Sequence, residues 1–175
     1  MKRPSTKRWI VAAWLLTLTV ATVGIASNER VIRDGDVVYL RLAPVDPRSL
    51  MQGDYMALNF TVAIEIAAAQ AAAQSAQHQT DRRDATVVIR TDANRIAQFI
   101  RLHDGTPLAE GEQLLRVQNV PTRWGGNGVQ VSTNAWFFEE GQAKRYERAQ
   151  YGEFRVDKNG HALLVGMKGE GLSEL

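Results

Sequence analysis

The chain has 175 residues, of which 45% are hydrophobic, and it contains no cysteine. The absence of cysteine excludes disulfides, thiolate metal ligands and a cysteine nucleophile. The 21 Lys and Arg residues face 19 Asp and Glu residues, but four of the basic residues lie within the first eight positions. The remainder therefore carries 17 basic against 19 acidic residues. Because nucleic-acid binding needs a basic face, we do not expect a nucleic-acid partner.

The first predicted element is an apolar helix. Residues 9–26 contain no charge, and this length is near the lower limit for crossing the hydrocarbon core. The basic residues before it predict a cytoplasmic N-terminus by the positive-inside rule. We therefore expect a cytoplasmic tail at 1–8, a single-pass inner-membrane anchor at 9–26 and an exported, periplasmic domain at 27–175.

A cleaved signal peptide is the alternative interpretation of the same segment. Gly24 and Ala26 are small residues at the two positions that a signal peptidase inspects. The apolar run is longer than the usual hydrophobic region of a signal peptide, which favours the anchor. Both interpretations export the domain.

The first exported segments are predicted as two strands and a helix. Residues 36–43 alternate, with Val38 and Leu40 on one face, as in a half-buried strand. Residues 55–64 contain β-branched and aromatic residues that favour a second strand. Residues 65–78 are rich in alanine, which predicts a helix. We prefer a helix packed on a sheet, and a partner-binding helix is the alternative.

The remaining chain is typical of strands separated by turns, and the Asn-Gly pair at 159–160 is a strong hairpin signal. The predicted segments are a hairpin at 84–102 with its turn at 91–94, a strand at 113–120, a strand at 129–138, a short helix or extended loop at 139–149, and a hairpin around 157–160. Strands outnumber helices and follow one another. The predicted fold class is α+β: an N-terminal transmembrane helix followed by one mainly antiparallel β domain with one Ala-rich helix.

Residues 44–60, PVDPRSLMQGDYMALNF, form the most informative segment. Asp46 before Pro47 fits a helix N-cap followed by proline at the first helical position. Gly53 fits the left-handed position that ends a helix. The pattern predicts a strand, a single helical turn and a second strand.

The octapeptide GDYMALNF, from Gly53 to Phe60, resembles the signature of the GDYXXLXY family of uncharacterised membrane-anchored proteins. The segment from Trp136 to Leu164 is also similar to the family, so the resemblance covers essentially the whole chain. Phe60 stands where the family has tyrosine, which keeps the ring and removes the hydroxyl. The resemblance implies a functional link to a multi-spanning membrane protein and no established activity. The structural residues of the signature are Asp46, Pro47, Gly53, Leu58 and Phe60.

A binding role is predicted for four residues in two parts of the chain. Arg48, with Asp54 and Tyr55 beside it, can bind a carboxylate or phosphate. The preferred interpretation is a rigid turn held by Asp46, Pro47 and Gly53, in which Arg48 pairs with a nearby acid. Trp124 lies among glycines and is expected to be exposed. The later aromatic residues are expected in the core: Trp136, Phe137 and Phe138.

The sequence predicts no catalytic, metal or cofactor site. Three histidines, interpreted as ordinary surface residues, lack the spacing of metal ligands: His78, His103 and His161. We therefore expect a non-enzymatic envelope protein whose exported domain binds an integral membrane protein. The alternative is a small-ligand receptor or enzyme with a polar pocket around the signature.

Overall fold

The computed structural model describes residues 6–43, 51–52, 55–77, 84–121 and 127–175. Within these ranges the helices are α1 (Thr6–Asp34), α2 (Thr61–Gln77) and α3 (Ala143–Tyr146), with a 3-10 turn at Glu170–Leu172. The strands are β1 (Asp36–Arg41), β2 (Met51–Gln52), β3 (Tyr55–Ala57), β4 (Asp84–Thr91), β5 (Ala97–Leu102), β6 (Glu112–Pro121), β7 (Asn127–Gln130), β8 (Ala135–Phe137), β9 (Tyr151–Val156) and β10 (Ala162–Lys168). A long apolar helix thus precedes a mostly antiparallel β domain, which confirms the predicted fold class.

Helix α1 is longer than the predicted anchor. It has 29 residues, and the part from Lys7 to Asp34 is long and apolar enough to cross a membrane. Its large apolar side chains are exposed, for example Trp9 at 67% and Val23 at 64%. The predicted anchor therefore lies inside one continuous helix, whose last two turns extend towards the domain.

The last turn of α1 is joined directly to the domain. Val31 is buried, and the Gly35 N–H donates to the Val31 carbonyl at 2.9 Å. A Cβ on Gly35 would lie 2.4 Å from that carbonyl oxygen and 3.1 Å from the Val156 carbonyl oxygen. Because β1 begins at Asp36, no linker separates the helix from the sheet, and only glycine fits the junction.

The described strands form three antiparallel sheets. In the first, β9 lies between β1 and β10. The second, called here the signature sheet, consists of β2, β3 and β8 with β3 in the centre. The third has the order β5-β4-β6-β7. Helix α2 packs on β5, β7 and β1, so the domain core lies between this helix and the sheets.

The core confirms the predicted alternation of β1 and the two predicted hairpins. Val38 and Leu40 are fully buried. The Asp92 carboxylate accepts hydrogen bonds from the backbone of Asn94 and Ile96 and closes the β4–β5 turn. Asp157 closes the β9–β10 turn in the same way. These aspartates stabilise the turns because a short carboxylate reaches the backbone two and four residues on.

The predicted strand at 55–64 is wrong beyond Ala57. Helix α2 begins at Thr61, four residues before the predicted helix, and residues 62, 63 and 66 are buried on one helical face. The β-branched residues at this point favour a strand only weakly, because β propensity depends on packing. Burial against β5 and β7 decides the conformation instead.

The predicted strand at 129–138 is also wrong as a single element. The chain forms β7 and then β8, which belong to different sheets. Between them Ser132 has a positive φ of 59°, a conformation that ends a strand. The predicted short helix in 139–149 is confirmed as α3. His103 and His161 are half-buried and not surface residues.

Candidate functional site

The structure places only some of the predicted site residues. Tyr55, predicted to bind, and Leu58 and Phe60, predicted to be structural, are described. The others lie outside the described residues: Asp46, Pro47, Arg48, Gly53, Asp54 and Trp124. The predicted helical turn extends to Gln52, and this prediction is wrong at its end, because Met51–Gln52 pair with β3 as strand β2.

Phe60, at the last signature position, is a packing residue. Its side chain is 2% exposed, and its ring meets the Phe154 ring edge-on at 5.3 Å between centroids. A Cβ on Gly152 would lie 2.9 Å from the Phe60 ring, so the glycine makes room for it. Leu58 is buried as well. The ring alone satisfies this environment, which accounts for phenylalanine in place of tyrosine.

The signature sheet has one buried face and one outer face. Met56 pairs with Trp136 on the inner side, where Met56 is 2% exposed. The outer face is formed by the pairs Tyr55–Phe137 and Ala57–Ala135, and Gln52 shares it because it pairs with Tyr55 on the other side. Antiparallel sheets with one solvated face usually carry polar residues on that face. Phe137, a large apolar residue that is 74% exposed on this face, is therefore a feature to explain.

Phe137 corrects the prediction that the late aromatic residues all lie in the core. Its side chain is 74% exposed, and its ring lies 5.7 Å from that of Tyr55. Strand alternation places it on the side opposite Trp136. Trp136 and Phe138 pack against the core, as expected.

A polar cleft borders the end of the signature. This cleft, called here the α2 cleft, has a volume of about 310 Å³ and is lined by Arg41, Thr61, Val62, Glu65, Asp92, Ile96, Ala97 and Gln98. The Arg41 guanidinium donates to the Tyr151 hydroxyl at 2.9 Å and lies over that ring. Arg41 and the acidic residues Glu65 and Asp92 line the same cleft, which suits a ligand that carries both a positive and a negative charge. In the ranges that are described, no three His, Asp or Glu side chains converge as a metal site.

A second cleft lies where α1 enters the domain. This exit cleft has a volume of about 460 Å³ and is lined by Gly35, Asp36, Val37, Thr91, Arg95, Gly111, Glu112, Gln113 and Arg155. Arg155 donates to the Gly35 carbonyl at 3.2 Å. Arg95 is exposed and has a positive φ of 62°. No motif in the sequence indicates this cleft, because its lining residues come from five separate segments.

Glu112 is an acidic residue of the exit cleft that already has ion-pair partners. Its carboxylate accepts from the Ala109 N–H and pairs with Arg90 and Arg101. The Ala109 hydrogen bond, aided by the two arginines, holds the pKa of Glu112 below its usual value. Glu112 therefore stays ionised at neutral pH, and its charge is largely compensated.

Lys168, the last residue of β10, is a buried charge. It is 9% exposed and pairs with Glu153 at 3.1 Å and with Glu174. The hydrogen bond that Lys168 donates to Glu174, with the one that it donates to Glu153, raises the pKa of Lys168 above its usual value. The register of β9 with β10 creates this site, and the sequence signals for strands do not specify that register.

Comparison with known proteins gives one match. No curated protein and no solved structure matches the chain significantly. The family model described as GDYXXLXY protein matches residues 17–167, from the middle of α1 to the last but one residue of β10. This match covers most of the chain and contains the signature, both clefts and all three sheets, and the protein therefore belongs to the GDYXXLXY family.

Proposed function

We propose that the protein is a single-pass inner-membrane protein whose exported, periplasmic domain binds an integral membrane protein without catalysing a reaction. The exposed apolar surface of α1 supports an anchor, because such a surface is stable in lipid and unfavourable in water. The basic residues Lys7 and Arg8 precede it, and the positive-inside rule then assigns the N-terminus to the cytoplasm.

The course of α1 supports an uncleaved anchor. The helix continues without interruption through Ala26, where a signal peptidase would cut, to Asp34. Val31, five residues further on, is buried against the domain. In this proposal the helix is part of the mature protein and holds the domain at the membrane surface.

The proposal of a protein partner rests on the outer face of the signature sheet. Phe137 at 74% exposure and Tyr55 beside it present aromatic surface at the most characteristic segment of the chain. Aromatic residues at the centre of an interface contribute much of its binding energy. An integral membrane protein is the proposed partner because the anchor confines the domain to the membrane surface.

The anchor helix offers a second surface for the same partner. Ala13, Thr17, Ala21 and Gly24 recur every three to four residues on one helical face. Small residues at this spacing let transmembrane helices approach closely. The Thr17 hydroxyl donates to the Ala13 carbonyl at 3.0 Å, so it leaves no unsatisfied donor in lipid. A multi-spanning partner can therefore contact both the helix and the domain.

Topology is tested with reporters fused to the C-terminus of the full chain. A reporter active only outside the cytoplasm is expected, and the mature protein should begin at its original N-terminus. Reporter activity in the cytosol would contradict the orientation. An N-terminus at Ser27 would contradict the anchor.

The partner is tested by photo-crosslinking in native membranes. A photoreactive amino acid at Phe137 is expected to give one major product with a protein that has several transmembrane helices. The same amino acid at Leu108, another exposed apolar residue at 40% exposure, is the matched control and should give none. Equal products at both positions, or none at Phe137, would contradict the proposed face.

Binding of a small ligand in the α2 cleft is the second candidate function. The cleft begins at Thr61, directly after the signature, and its volume is at the lower end of the range for ligand sites. Arg41→Met with Glu65→Gln removes one charge of each sign. If the cleft is functional, this double variant should lose in-cell function while crosslinking at Phe137 persists.

A further inference from the structure

The exit cleft lies close to the membrane surface. Gly35 is nine residues beyond Ala26, which is about 13 Å along a helix axis. The headgroup layer beyond the hydrocarbon is about 5–7 Å thick, and a helix tilt of about 20° lowers Gly35 by less than about 1 Å. Gly35 therefore lies about 6–8 Å beyond the headgroup layer, a gap that a long arginine side chain of the cleft can bridge.

Arg95 is held in an unfavourable backbone conformation at the rim of this cleft. Its φ of 62° is unusual for any residue other than glycine, asparagine or aspartate. Its backbone is needed there, because the Arg95 carbonyl accepts from the Tyr39 N–H at 2.9 Å. Its exposed side chain has no hydrogen bond or ion pair with any described residue. Asparagine would suit the backbone better, so the arginine side chain points to a function.

Two further charges complete the cleft. Arg155 donates one N–H to the Gly35 carbonyl, and its guanidinium has further N–H groups. Asp36 lines the same cleft, and its exposed carboxylate makes no ion pair within the described part of the chain. Two guanidinium groups suit a phosphate, while a carboxylate beside them suits an ammonium group. A ligand that carries only negative charge would be repelled by Asp36.

We infer that the exit cleft binds the phosphoethanolamine headgroup of a membrane phospholipid, with its phosphate at Arg95 and Arg155 and its ammonium at Asp36. The inference rests on the proposed membrane anchor and not on the proposed protein partner. Bound lipid would hold the lower side of the domain against the membrane.

The test uses the full-length protein in detergent micelles and native mass spectrometry of bound lipid. Micelles are doped with phosphatidylethanolamine or with phosphatidylglycerol. Wild type is expected to retain phosphatidylethanolamine in preference. Arg95→Asn should weaken this binding about tenfold, the usual cost of a lost charge-assisted hydrogen bond. Its melting temperature should equal or exceed that of wild type, because asparagine tolerates the backbone conformation.

Two further variants separate the roles. Asp36→Asn should abolish the preference for phosphatidylethanolamine while phosphatidylglycerol still binds. Arg148→Asn is the matched control, since Arg148 is exposed and does not line the cleft, and it should bind lipid as wild type does. Binding by Arg95→Asn at the wild-type level, or Asp36→Asn with an unchanged preference, would overturn the inference.

Soluble probes distinguish a lipid from a free phosphate ester. Glycerophosphoethanolamine and inorganic phosphate are expected to compete only at much higher concentrations than the lipid. Equal competition by either would overturn the assignment to a lipid. Crosslinking at Phe137 is measured separately in Arg95→Asn. A failure of the partner proposal and a failure of the lipid inference therefore give different results.

Discussion

The two ends of β1 are built in different ways. At the anchor end, α1 meets the sheet through backbone fit at Gly35 and through charged side chains around Asp36. At the signature end, Leu42 bridges to Phe60, and aromatic rings fill the space. One strand of six residues thus runs from a junction that depends on backbone fit to a core that depends on packed rings.

The largest expected effect is at the signature end. Phe60→Ala removes a ring that is 2% exposed, and a buried Phe→Ala substitution costs about 3–5 kcal/mol. Phe137→Ala, at 74% exposure, is the matched control and should change stability by less than about 0.5 kcal/mol. Urea unfolding of the full chain in micelles measures both. Similar losses would show that the two faces of the signature region do not differ.

The anchor end should respond to added volume. Gly35→Ala places a Cβ against the Val31 carbonyl, and overpacking of this kind costs about 1–3 kcal/mol. Gly24→Ala is the control, because a Cβ there meets nothing within 4 Å. Thermal unfolding gives the comparison. An unchanged melting temperature for Gly35→Ala would show that the junction is not tightly packed.

A smaller effect is expected at Lys168, which lies at the signature end of β10. Its raised pKa means that its ion pairs stabilise the fold below the usual lysine value and are lost as pH rises through the folded value. Lys168→Met should cost about 1 kcal/mol, since Glu174 is largely exposed. The stability of this variant should also fall less steeply at alkaline pH than that of wild type. Lys158→Met, at the exposed hairpin turn, is the control and should change neither the stability nor its pH dependence.

The smallest effect is expected at Asp104, which lies at neither end. The Thr106 hydroxyl and N–H donate to its carboxylate and lower its pKa to about 2. Its contribution is present above the usual aspartate value and is lost as pH falls towards 2. Asp104→Asn should therefore flatten the acid side of the stability profile. Thr106→Val should do so partly, and a profile unchanged in both would contradict the assignment.

Local signals predicted the parts of the fold that local physics determines. The alternation of β1 and the turns at Asp92 and Asp157 depend on residues close in sequence, and these predictions are confirmed. The start of α2 at Thr61 and the break at Ser132 depend on which sheet each segment packs against. Period and propensity do not contain that information.

The candidate sites were harder to predict than the fold. The exposure of Phe137 follows from its pairing with Tyr55, which is 82 residues away in sequence. The exit cleft joins Asp36, Arg95 and Arg155 from three strands or turns. The burial of Lys168 depends on β-strand register. Each of these is a contact between distant segments, and a single sequence gives no measure of such contacts.

The missing linker between α1 and β1 has a geometric consequence. Since each residue turns an α-helix by about 100°, one residue inserted between Ser27 and Arg30 would rotate the domain around the membrane normal and aim Phe137 in another direction. Seven inserted residues make nearly two full turns and restore the direction while raising the domain by about 10 Å. The helix therefore sets both the direction that Phe137 faces and the height of the domain above the membrane.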